Sequence, residues 1–181
     1  MHKDSLRNLN FKEILSDIEA MFFDIDGVLA SSQAMITTNG DLDRTTNVKD
    51  GYVLKQAIKK GIKIFIISGG YNKDVQLRYQ NLGIEDVILK CKNKLPEFER
   101  LVSENNLDIS KILYMGDDIP DYQVMKIAGV PVCPADAAPE IKAISCYISD
   151  KNGGEGCGRD VIEQVLKAQG HWMNGEEAFG W

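Results

Sequence analysis

Two aspartates separated by a single residue, Asp24 and Asp26, directly follow a short apolar run near the start of the chain. The run, residues 20–23, predicts a buried strand, so both carboxylates are expected at its carboxyl end. Gly27 comes next and allows the chain to turn sharply. Neighbouring carboxylates repel each other and are costly to bury, so this pair needs a metal ion, a shared proton, or both.

A second acidic group repeats the arrangement further along the chain. Asp117, Asp118 and Asp121 follow the apolar run at residues 112–115. If both runs are strands of one sheet, their acidic ends can converge on a hard cation. Mg²⁺ is such a cation, because it favours carboxylate oxygens.

Two further polar groups are predicted at the same edge of the sheet. Ser68 ends the apolar run 64–67, and Lys94 opens the helix after the third predicted strand. These groups suit phosphoryl transfer: one carboxylate attacks phosphorus, a cation neutralises phosphate oxygens, and the hydroxyl and ammonium hold the others. A second carboxylate can protonate the leaving alkoxide and then activate water.

Strand and helix patterns alternate along the chain. Apolar runs predict strands at 20–25, 62–68, 86–89, 111–115, 130–133 and 146–148, and helical patterns occur at 51–60, 72–82, 94–105, 121–128, 138–143 and 159–169. This alternation favours an α/β fold, a doubly wound parallel sheet with helices on both faces. The site is then expected at the carboxyl ends of the strands.

One segment departs from the alternation. Residues 28–48 include a β-prone run at 34–38 and the turn pair Asn39-Gly40, which predict a β-hairpin projecting beside the site. The segment is too short for a cap domain. Residues 153–158 predict a flexible glycine-rich loop, and residues 170–181 predict a tail because they lack periodicity. We expect a single domain over residues 1–181.

Composition limits the partners and the location. The 181 residues carry a net charge of −6 and no segregated basic patch, so nucleic acid is not expected as a partner. No apolar run reaches the roughly 20 residues that a membrane-spanning helix needs. The four cysteines lack a C-x-x-C spacing and no signal peptide is recognised, so we expect a cytoplasmic protein with free thiols and no zinc.

The order of these groups resembles the haloacid dehalogenase superfamily of phosphatases. Its four motifs correspond to Asp24-Ile25-Asp26-Gly27-Val28, Ser68, Lys94, and Gly116-Asp117-Asp118 with Asp121. Residues 47–52, Arg78 ahead of 82–84, 116–121, and the glycine-rich loop with Arg159 make the chain similar to the 3-deoxy-D-manno-octulosonate 8-phosphate phosphatases. That family is capless and tetrameric, and it removes phosphate from an eight-carbon 2-keto sugar acid during lipopolysaccharide synthesis.

The resemblance implies a role for each acidic residue. Asp24 is the nucleophile that forms an aspartyl-phosphate, and Asp26 is the general acid and base. Mg²⁺ is held by the Asp24 carboxylate, the Asp26 backbone carbonyl and the Asp117 carboxylate. Asp118 and Asp121 order the groups around the ion.

The implied substrate-binding set is larger. Ser68 and Lys94 bind the transferring oxygens, and the substrate is surrounded by Asp26, Asn47, Val48, Lys49, Asp50, Gly51, Lys55, Gly70, Arg78 and Lys94. The family usually has an arginine where this chain has Gly70, so a charged anchor is missing there, and Lys73 is one possible substitute. A nine-carbon 2-keto sugar acid 9-phosphate is the alternative substrate, because phosphatases for such acids share this scaffold.

A capless site needs its lid from elsewhere, since an open site admits water. The exposed edges of the hairpin favour pairing with another copy, and the resemblance implies a homotetramer in which the hairpin, with or without the tail, covers a neighbouring site. A response-regulator receiver is a non-enzymatic alternative, but its phosphorylated aspartate ends the third strand, where Lys90 follows here. An idle sugar-phosphate-binding subunit is disfavoured by the intact Asp24 and Asp26.

Overall fold

The computed structural model describes residues 11–180, apart from the side chains of residues 176 and 177. The strands are Ala20–Phe23 (β1), Met35–Ile36 (β2), Leu42–Asp43 (β3), Lys63–Ile67 (β4), Val87–Ile88 (β5), Ile112–Met115 (β6), Val130–Cys133 (β7) and Tyr147–Ile148 (β8). The helices are Phe11–Ile14 (α1), Val48–Lys59 (α2), Lys73–Gln80 (α3), Lys94–Glu104 (α4), Tyr122–Met125 (α5), Pro139–Lys142 (α6) and Cys157–Ala168 (α7). Short 3₁₀ turns occur at Leu15–Asp17, Ile109–Lys111, Ile119–Asp121 and Glu176–Phe179. The predicted alternation of strands and helices is confirmed.

Six strands form one parallel sheet in the order β5-β4-β1-β6-β7-β8. Phe23 at the end of β1 pairs with Ile66 of β4 on one side and with Met115 of β6 on the other. The chain first builds outward from β1 through β4 and then crosses to β6, so the strand order reverses at β1. In doubly wound sheets, ligands bind beyond the carboxyl ends of the strands at this reversal. Asp24 is the first residue beyond that end of β1.

Helices cover both faces of the sheet, which explains why its central strands are apolar throughout. The four residues of β1 are fully buried and alternate between the faces. Met21 and Phe23 pack in the apolar cluster that includes α2 and α7, whereas Ala20 and Phe22 pack in the cluster that includes α4 and α5. This two-sided packing holds the carboxyl ends of β1, β4 and β6 in one place.

Asparagine side chains begin three of the helices. Asn47 accepts a hydrogen bond from a backbone N–H of the first turn of α2, Asn72 does so at α3, and Asn93 does so at α4. Each cap satisfies an N–H that lacks a partner within the helix. The cap at Asn93 makes Lys94 the first residue of α4. Among the described residues, no helix has both the length and the apolar composition to cross a bilayer.

The hairpin predicted between β1 and α2 is present. Met35 lies opposite Asp43 and Ile36 lies opposite Leu42 in an antiparallel pair. The Thr37 N–H donates to the Asp41 carbonyl at 2.8 Å and closes the turn. Residues 24–47 contain no regular element other than this hairpin and an isolated bridge, so the fold has no cap domain there, as predicted.

The glycine-rich loop before α7 differs from the prediction of a flexible segment. The Gly154 N–H donates to the Val28 carbonyl at 2.8 Å, and the Gly153 N–H donates to the Asp136 carboxylate at 2.9 Å. The loop is therefore fixed against the turn that follows Asp26. Periodicity carries no sign of such contacts, because the partners are distant in sequence.

The C-terminal segment packs against its own chain. The Tyr52 hydroxyl of α2 donates to the Ala178 carbonyl, and Trp172 packs against the apolar core. The predicted tail thus packs first against the end of α7, where the His171 and Trp172 N–H groups donate to the Leu166 carbonyl, and then against α2 at Ala178. Trp181, which belongs to the same prediction, lies outside the described residues.

Candidate active site

The acidic ends of β1 and β6 meet at the centre of the sheet. The Asp24 N–H donates to the Met115 carbonyl at 3.1 Å, so the two strands stay paired up to the acidic residues. Gly27 has a φ of +84°, and a Cβ at this position would lie 1.9 Å from Asp117 Oδ2. Glycine therefore permits both the turn and the close approach of Asp117.

Lys94 links the two acidic groups. Its Nζ lies 2.8 Å from Asp24 Oδ2 and 2.7 Å from Asp121 Oδ1, and only 3% of its side chain is exposed. The Tyr114 hydroxyl donates to the same oxygen of Asp121 at 2.7 Å. Burial opposes the charge of Lys94, but the charges of Asp24 and Asp121 outweigh it and raise the pKa of Lys94. The side chain is therefore an ammonium held against Asp24.

Three carboxylates form a candidate metal centre. One oxygen from each of Asp24, Asp117 and Asp121 lies within 4.8 Å of the other two. Burial, helped by the charge of Asp121, raises the pKa of Asp24 to about 7. Burial, helped by the charges of Asp24 and Asp121, raises the pKa of Asp117 to about 8. Such values indicate excess negative charge, which a divalent cation relieves. The oxygen-only donor set fits Mg²⁺.

The two residues predicted to order this centre occupy different environments. Asp121 is fully buried and shares its oxygens with Lys94, with Tyr114, and with the backbone N–H of Asp117 at 3.4 Å. It therefore lies within the centre itself. Asp118 is exposed to solvent, and the structure does not bring its side chain into the carboxylate group.

The carboxylate of Asp26 is held by a residue to which the sequence analysis gave no role. Arg44 Nε donates to Asp26 Oδ1, and Arg44 Nη2 donates to Asp26 Oδ2 at 3.0 Å. Arg44 directly follows β3 of the hairpin, and only 5% of its side chain is exposed. A signal was available in the sequence, because Arg44 is a cation in a segment predicted to project beside the site.

Gly70 lies against both Arg44 and Asp26, two residues after Ser68. Ser68 is buried at the end of β4, and its Oγ accepts from the Gly70 N–H at 3.2 Å. A Cβ on Gly70 would lie 2.6 Å from Arg44 Nη2 and 2.7 Å from Asp26 Oδ2. Lys73 is exposed in the first turn of α3. The positive charge beside Gly70 is therefore that of Arg44, rather than that of Lys73 as the sequence suggested.

A cavity of about 380 Å³ opens between the hairpin and α3, and both Arg44 and Arg78 line it. Thr46 and Asn72 add polar groups to its wall. Among residues 11–180, Arg78 Nε is buried without a hydrogen-bond partner. A buried donor without a partner is costly, so this N–H is available to an oxygen of a ligand. The cavity is the candidate binding site for the remainder of a substrate.

Asn47 and Asp50 have structural contacts within the chain. Asn47 caps α2, and its amide donates to the Gly154 carbonyl at 3.2 Å. Asp50 is buried and accepts from the Arg159 N–H at 2.7 Å, while burial raises its pKa to about 6. The second carboxylate oxygen of Asp50 has no partner among the described residues. These contacts tie α2 to the glycine-rich loop and α7.

The remaining residues of the implied substrate set differ in their exposure and do not lie together in the cavity. Val48 and Lys49 are exposed, and Lys55 is half-buried. Gly51 lies against Arg78, since a Cβ there would be 2.7 Å from Arg78 Nη2. Val48, Lys49 and Lys55 do not line the cavity described above. Their role in binding stays a prediction.

The chain is similar to known proteins over most of its length. Residues 83–159 match the family model of haloacid dehalogenase-like hydrolases. The 3-deoxy-D-manno-octulosonate 8-phosphate phosphatase of Escherichia coli K12 is 34% identical over 154 residues, which are 85% of this chain and 82% of that protein.

Solved structures agree with this similarity. The 3-deoxy-D-manno-octulosonate 8-phosphate phosphatase of Moraxella catarrhalis, in complex with a magnesium ion, a phosphate ion and KDO, is 31% identical with a TM-score of 0.85, over 88% of this chain and 92% of that one. The cobalt-bound deoxy-D-mannose-octulosonate 8-phosphate phosphatase of Haemophilus influenzae is 26% identical with a TM-score of 0.86, over 92% of this chain and 98% of that one. This identity and coverage show that the chain belongs to the 3-deoxy-D-manno-octulosonate 8-phosphate phosphatase family of haloacid dehalogenase-like hydrolases.

Proposed function

We propose that this chain is a Mg²⁺-dependent phosphatase that hydrolyses 3-deoxy-D-manno-octulosonate 8-phosphate to KDO and phosphate, as a step in lipopolysaccharide precursor synthesis. The observation that carries the proposal is the carboxylate of Asp24 at the end of β1, held by the Lys94 ammonium and close to Asp117 and Asp121. The eight-carbon substrate named for the relatives favours it over a nine-carbon acid.

The positions of the side chains suggest the two chemical steps. Asp24 attacks phosphorus in line and the sugar oxygen leaves, which gives an aspartyl-phosphate. Asp26 donates a proton to the leaving oxygen and later takes one from the water that hydrolyses the aspartyl-phosphate. Asp24, the Asp26 carbonyl and Asp117 would hold Mg²⁺, and the bound ion would supply the positive charge that lets two anions approach.

Ser68 and Lys94 hold the phosphoryl oxygens in this proposal. Ser68 Oγ already accepts from Gly70, so its own proton is free to be donated to an oxygen of the substrate. The Lys94 ammonium stabilises the negative charge more strongly, because charged hydrogen bonds are about twice as strong as neutral ones. Arg78 and the cavity beside it receive the sugar acid.

We also propose that the chain assembles as a homotetramer in which the hairpin of one copy covers the site of another. The proposal is supported by the hairpin itself, since Met35 and Ile36 are each 74% exposed on a short, open strand pair. Two residues of the implied substrate set, Val48 and Lys49, are exposed at the start of α2. We place the enzyme in the cytoplasm, consistent with four cysteines that form no disulfide.

Steady-state phosphate release tests the function. The purified chain is assayed in Mg²⁺ with 3-deoxy-D-manno-octulosonate 8-phosphate and, separately, with a nine-carbon 2-keto sugar acid 9-phosphate. We expect a higher kcat/KM for the eight-carbon substrate and loss of activity in excess chelator. A higher kcat/KM for the nine-carbon substrate would reassign the substrate, and full activity in chelator would contradict the metal centre.

A further inference from the structure

The guanidinium of Arg44 occupies the space directly beside Gly70. It donates to both oxygens of Asp26, and Nη1 donates to the Leu42 carbonyl at 2.9 Å. The Asn72 amide donates to the same Leu42 carbonyl at 3.2 Å, which ties the hairpin to the start of α3. The Arg44 side chain is therefore fixed at three points despite its place after an exposed hairpin.

Arg44 still has donors to offer. A guanidinium carries five N–H groups, and three are engaged by these contacts with described residues. The remaining two belong to Nη1 and Nη2, and the residue also lines the cavity described above. A guanidinium stays protonated in proteins, so the side chain keeps its charge.

We propose that Arg44 binds an oxyanion at the phosphate end of the substrate and, through the same guanidinium, positions Asp26 for proton transfer. The inference rests on the proposed function, because it assigns a residue to the same reaction. It assigns to Arg44 the positive charge that the family usually carries at the position of Gly70. Arg44 comes from a part of the chain that is distant in sequence.

The phosphoryl group, rather than the carboxylate of the sugar acid, is the ligand that the geometry favours. Asp26 must contact the leaving oxygen, which is bonded to phosphorus, and Arg44 Nη2 lies 3.0 Å from Asp26 Oδ2. The carboxylate of an eight-carbon sugar acid 8-phosphate is at the other end of the molecule. Arg78, whose Nε is buried and unpartnered among the described residues, is a candidate for binding the sugar acid at the end that carries the carboxylate.

Exchange of the cation between positions 44 and 70 tests this proposal. Arg44→Ala removes the guanidinium, and Gly70→Ala leaves it in the chain but puts a methyl group 2.6 Å from Nη2. Arg44→Ala combined with Gly70→Arg returns a guanidinium from the opposite side of the same space. Arg100→Ala, which removes an arginine from exposed ion pairs on α4, is the matched control.

We expect Arg44→Ala to lower kcat/KM for 3-deoxy-D-manno-octulosonate 8-phosphate by roughly 10- to 100-fold, the range for loss of one charged hydrogen-bonding group. Gly70→Ala should also lower it, and the double variant with Gly70→Arg should recover at least about tenfold over Arg44→Ala combined with Gly70→Ala. Arg100→Ala should match the wild type. Melting temperatures within a few degrees of one another show that the variants are folded.

Assays with p-nitrophenyl phosphate and inhibition by inorganic phosphate distinguish phosphate binding by Arg44 from its positioning of Asp26. They also distinguish binding of the phosphoryl group from binding of the sugar carboxylate. p-Nitrophenyl phosphate has no carboxylate and a leaving group that needs little protonation. For this ester, Arg44→Ala should raise KM while kcat falls less than it does for the sugar substrate. Inorganic phosphate should inhibit Arg44→Ala about tenfold more weakly than it inhibits the wild type.

Three results would overturn the assignment of Arg44. These are an Arg44→Ala variant within twofold of the wild type, a double variant no better than Arg44→Ala combined with Gly70→Ala, which has the same Cβ beside Asp26, and unchanged inhibition by inorganic phosphate with a higher KM only for the sugar acid. The last result would show that Arg44 binds the carboxylate of the sugar acid instead of the phosphoryl group. The proposed function fails separately, if the wild type itself releases no phosphate from the sugar acid substrate.

Discussion

Beyond the carboxyl ends of the central strands, oppositely charged side chains are in direct contact. Asp24 and Asp121 lie on either side of the Lys94 ammonium, at 2.8 and 2.7 Å. A buried charge is costly unless it is paired, and removal of one partner leaves the other without compensation. With Asp117 added, three carboxylates lie near one lysine, and bound protons or a divalent cation must neutralise the excess negative charge.

Substitution of the two catalytic aspartates should have unequal effects. Asp24→Asn should abolish phosphate release, because an amide is not a nucleophile in this reaction. Asp26→Asn should slow it by about two to four orders of magnitude, the usual contribution of general acid–base catalysis. Asp17→Asn is the control and should retain nearly full activity, since Asp17 is exposed ahead of β1, at the opposite end of that strand from Asp24. The measurement is kcat for the sugar acid phosphate, and near-normal turnover by Asp24→Asn would refute the covalent mechanism.

Mg²⁺ and protons should compete for the carboxylates of Asp24 and Asp117. Their pKa values are raised from 3.8 to about 7 and about 8, so without metal the folded state binds more protons than the unfolded state over this range. Their contribution to the stability of the metal-free protein therefore falls as pH rises from 3.8 to about 8. Bound Mg²⁺ replaces those protons.

The rise in melting temperature on addition of Mg²⁺ should therefore be larger near pH 9, about one unit above the pKa of Asp117, than near pH 6, about one unit below the pKa of Asp24. Differential scanning calorimetry with and without the ion measures it. Asp117→Asn is the control, in which the dependence on pH should be weaker. A rise that is the same at both pH values would contradict the assignment of the metal to these carboxylates.

Side chains at the ends of the parallel strands could be placed from the sequence, whereas the contact of Arg44 with Asp26 could not, even though a cation in the hairpin segment was visible there. Asp24, Ser68 and Lys94 each follow an apolar run or open a helix, so the topology of a parallel sheet places them at one edge. Arg44 reaches the site because the hairpin folds back and the absence of a side chain at Gly70 leaves room for it. Both conditions depend on tertiary contacts, which periodicity does not reveal.

Among the elements, the turn after β1 determines whether the acidic residues converge. Its glycine, Gly27, combines a left-handed backbone conformation with contact to Asp117. Gly61 offers a matched comparison, because it has a φ of +86° and nothing within 4 Å of a Cβ at that position. The two positions therefore separate backbone strain from the effect on the site.

Both Gly27→Ala and Gly61→Ala should lose about 1–2 kcal/mol of unfolding free energy from the left-handed conformation. Gly27→Ala should lose more, and it should also need a higher Mg²⁺ concentration for half-maximal activity, because its methyl group displaces Asp117. Gly61→Ala should keep the wild-type Mg²⁺ requirement. Denaturant unfolding and a Mg²⁺ titration of activity provide the measurements, and equal Mg²⁺ requirements for the two variants would contradict the role of the turn.

The elements themselves were largely predictable, and the segments between them were not. The strands of the large sheet are apolar runs, and the caps at Asn47, Asn72 and Asn93 are local signals that fix three helix starts. The glycine-rich loop and the C-terminal segment carry no such signal. Their positions depend on distant partners, such as the Val28 carbonyl for Gly154 and the Tyr52 hydroxyl for Ala178.

For the whole molecule, the open site and the exposed hairpin lead to a prediction about assembly. Met35→Asp should dissociate the proposed tetramer, because it places a charge on an apolar strand edge that is buried in the assembly. The dissociated chain should lose more activity toward the sugar acid phosphate than toward p-nitrophenyl phosphate, which needs the Asp24 centre but little of a lid. Sedimentation and the two assays measure this.

Ile127→Asp is the control for that substitution, since it also introduces a charge at an exposed apolar residue but lies after α5, away from the hairpin. It should remain a tetramer with wild-type activity. A fully active wild-type monomer, or equal losses on both substrates for Met35→Asp, would show that the hairpin is not a lid for a neighbouring site.

The proposed function depends on transfer of the phosphoryl group of 3-deoxy-D-manno-octulosonate 8-phosphate to Asp24. Rapid-quench single turnover in Mg²⁺, with the phosphoryl group located by mass spectrometry after acid quenching, measures this step. We expect a phosphorylated Asp24 that forms before phosphate is released and decays as phosphate appears. Phosphate release with no phosphorylation of Asp24 at any time in the turnover, or with phosphorylation of another residue, would contradict it.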